Sequence, residues 1–281
     1  MPLWAIWLMG GVILGVSVAP GMILWWPTRH KKASRADFGV NLVTGAVVAL
    51  AIFVLQILFE QRLDRVDQQR QVQADRQNLE LTIGLQKNLT GIRLPDKPLS
   101  GFYLYDKTLR DADLSGADLS GATLTKSDLS CANLAGTILS EVNATDVVLE
   151  GANFRKAVLD GAAMSYSHRG RYPCDEPHPY FDNAVLTNAV LDHARLPETS
   201  FKDANLENAD LSYAVLSGSD FTSARLVNAD FEYADLKGAA FTGADLHRAN
   251  FRDAVYDSAT QWPKHFKYRR CPASRGQCRF A

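Results

Sequence analysis

Apolar side chains recur every five residues from 99 to 256. The regular copies read Ala112-Asp113-Leu114-Ser115-Gly116 and then Ala117-Asp118-Leu119-Ser120-Gly121. A period of five fits neither a helix at ~3.6 residues per turn nor a strand alternating at ~2, so the chain turns a corner in every copy and winds into a solenoid. The central position is Leu or Phe (Leu104, Leu109, Leu114, Leu119, Leu124, Leu129, Leu134, Leu139, Phe154, Leu159), and two residues earlier stands Ala or another small residue. Residues two apart on an extended segment face the same way. This pair therefore fills the interior, and the other three positions, rich in Asp, Asn, Ser, Thr, Lys and Gly, face water.

The spacing of the large residues gives the number of copies per coil. Phe201, Phe221 and Phe241 form one set spaced by twenty residues, and Phe231 and Phe251 form a second set offset by ten. Four five-residue sides make one square turn, with Phe stacked over Phe on opposite walls. At Ala144 the central residue is small, and Val142 and Val147 replace the small partners, which conserves interior volume. The copies amount to about seven coils, a rod of roughly 34 Å at a strand spacing of ~4.8 Å.

Upstream the pattern changes class. Residues 2–26 and 38–59 are apolar runs, each reaching the ~20 residues that span a hydrocarbon core. They predict a two-helix transmembrane hairpin over 1–59. A cleaved signal peptide is the competing reading of the first run, through Ser17-Val18-Ala19, but no Lys or Arg precedes it and Trp25 and Trp26 extend it as an interfacial anchor. The connecting loop holds Arg29, Lys31, Lys32 and Arg35, which places it in the cytoplasm and the solenoid outside; Arg62, Arg65 and Arg70 pull the other way. Residues 60–98 predict a polar helical stalk and linker ended by Gly84, Gly91 and Pro95. Its sparse apolar positions make no convincing coiled coil, though a homodimer through this stalk stays open.

The repeat copies resemble the pentapeptide-repeat family over roughly residues 99–260. Thr260, Trp262, Pro263 and Phe266 are similar to the T-x-W-P-x-x-F closure of such proteins. The resemblance implies a right-handed quadrilateral β-helix. The expected fold is therefore an all-β solenoid over 99–260, interrupted by an insertion at 165–181, preceded by two transmembrane α-helices and a stalk, and followed by a basic cap or tail at 261–281. Some soluble members of the family bind DNA gyrase as DNA mimics. Residues 99–260 hold 24 Asp and Glu against 13 Lys and Arg, a net of −11, whereas 1–98 carry +4 and 261–281 carry +6. A duplex of ~34 Å would carry about twenty negative charges. The rod has roughly half that, shared among four faces, so a solvated acidic surface is the simpler reading.

The insertion gathers Arg169, Arg171, Tyr172, His178 and Tyr180, a candidate partner patch. A zinc site from Cys174, His168 and His178 would have only one thiolate and matches no strong signature. Cys271 and Cys278 are a candidate disulfide closing the short tail, while the pairing of Cys131 and Cys174 is left open. Nucleophile elbows, phosphate loops and zinc-protease helices are absent, and Asp192 with His193 lacks an identifiable third partner. The sequence thus predicts a non-enzymatic, membrane-tethered interaction or structural scaffold without a cofactor. It would sit in a bacterial inner or plasma membrane, with its repeat domain extracytoplasmic, the lipid bilayer and an unidentified protein as partners, and no nucleic acid. The alternative is a cytoplasm-facing acidic DNA mimic acting on gyrase or another nucleic-acid-binding protein.

Overall fold

The computed structural model describes residues 35–168, 170, 174, 175, 178–267 and 276–280, with side chains from Ala46 onward. The chain divides into two units, Met1–Asp75 and Arg76–Ala281. In the first, the described residues belong to helix α1 (Arg35–Leu85). Val47, Leu50, Phe53 and Phe59 are exposed on it, and α1 is long and apolar enough to cross a membrane by length and composition. The expected first span at 2–26, and Arg29, Lys31 and Lys32 of its loop, lie outside the described residues. The expected second span and stalk form one uninterrupted helix, ending just past Gly84.

The second unit is a four-sided β-helix. Parallel bridges join every fifth residue to one twenty positions on, as in Asp113↔Asn133 and Asn133↔Asn153, with the step lengthened to 27 across the insertion and 21 at Ala240↔Gln261. One wall runs Asn88, Thr108, Asp128, Val148, His168, Arg195, Val215, Asp235 and Val255, which is eight successive pairings. The ladder therefore starts about half a coil earlier than the expected boundary at 99. Leu89, Leu94 and Leu99 are buried there, but the small partner is replaced by Lys87, Ile92 and Lys97, which hides the repeat.

Each five-residue grammar has a local cause. In Asp113-Leu114-Ser115-Gly116, the Leu114 carbonyl accepts the Ala117 N–H at 3.0 Å, and Gly116 sits at φ 67°, as at the third residue of a type II turn. Asp113 Oδ1 accepts both the N–H and the hydroxyl of Ser115, at 3.2 and 2.7 Å, and Asp118 does the same for Ser120. The Asp or Asn of the repeat is thus a turn cap as well as a solvated group. These hydrogen bonds from the serine hydroxyl and backbone hold the Asp113 and Asp118 carboxyls below the ordinary carboxylate range.

The interior is a continuous, largely apolar stack. Phe154, Phe181, Phe201, Phe221 and Phe241 stack face to face with centroids 4.7 to 5.1 Å apart, and Trp262 closes the column 4.9 Å above Phe241. Phe231 and Phe251 stack on the opposite wall at 5.0 Å and meet the first column edge to face. Val142, Ala144 and Val147 are all buried, as their reciprocal sizes predict.

Both ends are covered. At the N-terminal end Ile83 is 2 % exposed and Leu79 packs beside the same core. Lys107 occupies a small-residue slot and sends its ammonium to the carbonyls of Gly84 and Gln86, at 2.8 and 2.7 Å, so a cation satisfies the C-terminal end of α1. At the other end β1 (Val255–Tyr256) pairs antiparallel with β2 (Cys278–Arg279). Trp262, Phe266 and Phe280 lie over Phe251. Trp262 and Phe266 cap as the closure motif implies; Phe280 completes the lid.

Candidate interaction site

The interruption of the solenoid is shorter than the expected 165–181. Ser167 still fills a buried interior slot and His168 still bridges Val148 and Arg195, while Tyr180 and Phe181 resume the next wall. The segment outside the register is therefore 169–179. It is pinned to the wall two coils back by a disulfide between Cys174 and Cys131, whose Cα atoms are 5.5 Å apart. That bond removes the one thiolate available to the zinc alternative. Gly170 fits against the wall closely enough that an added Cβ would lie 2.6 Å from Val148 Cγ1.

Of the proposed patch, Arg169, Arg171 and Tyr172 lie outside the described residues. His178 Nε2 lies 3.2 Å from a Glu198 carboxylate oxygen. Tyr180 lies on the wall, covered by the Arg155 guanidinium 4.2 Å from its ring centroid, while Arg155 Nε donates to Asp182 at 3.1 Å. In the tail, Cys278 is disulfide-bonded and Cys271 lies outside the described residues.

A second surface went unrecognised in the sequence. Tyr166, His193, Tyr213 and Tyr233 occupy the same corner in four successive coils, with ring centroids 5.0, 4.8 and 4.9 Å apart. The twenty-residue interval of His193, Tyr213 and Tyr233 was its readable signal; the insertion lengthens the step from Tyr166 to 27. Asp192 also gains its missing third partner. Ser165 Oγ donates to one oxygen of Asp192, and His193 Nδ1 lies 3.0 Å from the other. The carboxylate stands between the hydroxyl and the imidazole, so the hydroxyl's hydrogen bond goes to Asp192, which is not the nucleophile–base pairing of acyl transfer.

Residues 179–251 match a family model described as a pentapeptide repeat region, and 108–140 and 137–167 match one described as pentapeptide repeats in eight copies. The solenoid belongs to the pentapeptide-repeat family. Among solved pentapeptide-repeat structures, it is similar to QnrB1, a plasmid-mediated fluoroquinolone resistance protein, at 19 % identity over 62 % of this chain and 81 % of that one, with a TM-score of 0.38. It is also similar to HetL, involved in heterocyst differentiation regulation in Nostoc sp. strain PCC 7120, at 29 % identity over 59 % and 88 %, with a TM-score of 0.23. A pentapeptide repeat protein of the Arabidopsis thaliana thylakoid lumen matches at 25 % identity over 56 % and 68 %, with a TM-score of 0.23. No curated protein matches the chain.

Proposed function

We propose that this chain is a non-enzymatic scaffold, tethered to a bilayer by its N-terminal helices, that holds a pentapeptide-repeat β-helix outside the cytoplasm for a protein partner. The observation that carries the reading is the Cys131–Cys174 disulfide, together with the absence of free cysteines among the described residues. Disulfides persist in oxidising compartments and are rare in the cytosol. The long apolar stretch of α1 supports the tether, and the basic residues before it support the same side for the repeats. The insertion, fixed by its disulfide, is the first candidate for contact through Arg169, Arg171, Tyr172, His178 and Tyr180.

The reading also pairs Cys271 with Cys278. Membrane-extracted protein is alkylated before reduction, digested and mapped by mass spectrometry. Unmodified Cys131, Cys174, Cys271 and Cys278 before reduction are expected. Alkylation of all four would sink the extracytoplasmic reading and favour the alternative, a cytoplasm-facing acidic mimic, whose supporting feature is the net charge of −11 over residues 99–260.

A further inference from the structure

The half-exposed ring column at one corner of the solenoid needs a reason. Tyr166, His193, Tyr213 and Tyr233 all adopt left-handed φ angles between 57 and 59°. Gly or Asn takes that conformation at low cost, whereas bulky side chains seldom do. In this solenoid Gly116, Lys126, Glu141, Lys156 and Asp253 take it as well, so the corner itself asks for no ring. Mutual stacking returns part of the cost, yet Tyr166 and Tyr213 remain 54 and 50 % exposed.

The wall leading into this corner is acidic. Between Ala163 and Asp253 it presents Asp192, Asp210, Asp230, Glu232 and Asp253, with Arg252 as its cation. Asp210 and Asp230 cap their own turns at 2.9 Å, and among the described residues neither has a cation within ion-pair distance. The row beyond the corner holds Arg195, Val215 and Asp235 and is electrically balanced.

We propose that this ring column and the acidic wall beside it dock an arginine-bearing cationic polypeptide segment lying along the solenoid axis. The solenoid itself shows the chemistry. The Arg155 guanidinium lies 4.2 Å from the Tyr180 ring centroid while pairing with Asp182, and at the end of the column Arg252 makes the ion-pair half of the same arrangement with Glu232. The inner rings close each other's faces. Their edges, and the column's two ends at the exposed Tyr166 and Tyr233, are what a partner meets. A guanidinium stacks on a ring face and donates in its plane to a neighbouring carboxylate at the same time; an ammonium lacks that plane. The surface therefore prefers Arg to Lys. Its recognition chemistry is the same on either side of the membrane.

The test uses the full chain in a non-ionic detergent, with fluorescent oligoarginine and oligolysine peptides titrated by anisotropy. Tighter binding of oligoarginine, weakening as salt rises, is expected. Tyr166→Ala with Tyr233→Ala lowers that affinity about fivefold. Asp210→Asn with Asp230→Asn lowers it as well while leaving the rings in place, which separates loss of the surface from loss of folding. Asp118→Asn with Glu141→Gln on another wall leaves it unchanged. Equal losses from the control pair, equal affinity for oligolysine, or no binding would each overturn the proposal. Preferential, salt-insensitive binding of an uncharged chitin oligosaccharide would overturn it in favour of a glycan surface.

Discussion

Single residues divide sharply between interior and capping roles. Phe221 stacks on both Phe201 and Phe241 and is fully buried. Phe221→Ala should leave a cavity between two rings and cost about 3 to 5 kcal/mol in denaturant unfolding. Asp220, one residue earlier, faces out, but it accepts the Thr222 N–H at 2.9 Å and pairs with Lys202 at 3.2 Å. Asp220→Ala should therefore cost about 1 kcal/mol, above an ordinary surface change. Equal costs at the two positions would contradict this division. Burial raises the Asp220 carboxyl, and the bonds from Thr222 with the Lys202 charge outweigh it and hold it low. Burial also opposes ionisation of Asp257, where backbone N–H groups led by Gly238 win. With Asp113 and Asp118, these carboxyls have folded values below their unfolded ones. Their contribution is present above the unfolded carboxylate range and is lost as pH falls through the folded values. The melting temperature should hold at neutral pH and drop below about pH 4; a flat profile through that range would remove the capping role.

At the scale of elements, what was legible followed from repetition. The phenylalanine columns declared themselves by their interval of twenty, and the closure by Trp262 and Phe266. The first half-coil, before residue 99, did not, because the slots ahead of Leu89 and Leu94 hold Lys87 and Ile92, which break the Ala-x-Leu pattern. Tyr166 lost its place in the ring column because the insertion shifts its register, and Ser165 with Asp192 joined only across that shift. Phe280 gave no signal, being a lone aromatic in a basic tail. The seam between α1 and the first coil yields a direct prediction. Lys107→Met keeps the bulk and removes the ammonium from the carbonyls of Gly84 and Gln86. It should cost about 1 to 3 kcal/mol and raise amide exchange over residues 79–85 ahead of the rest of the solenoid. Unchanged exchange there would mean that apolar packing of Ile83 alone holds the helix end.

For the whole molecule, charge and covalent chemistry are segregated along the sequence. Basic residues gather before and after an acidic repeat region, and a disulfide fixes the insertion that breaks its register. The walls are regular, closed to ligands inside and capped at both ends, so chemistry is confined to the outer surface. That arrangement suits presentation to a partner, and under the proposed membrane tether its meaning turns on which side the repeats occupy. The most direct measurement is a pair of fusions placed after Leu89, one to alkaline phosphatase, active only after export, and one to a fluorescent protein that matures only in the cytoplasm. The account predicts an active phosphatase and a dark fluorescent fusion. A fluorescent fusion with an inactive phosphatase would contradict it and return the repeat domain to the cytoplasm.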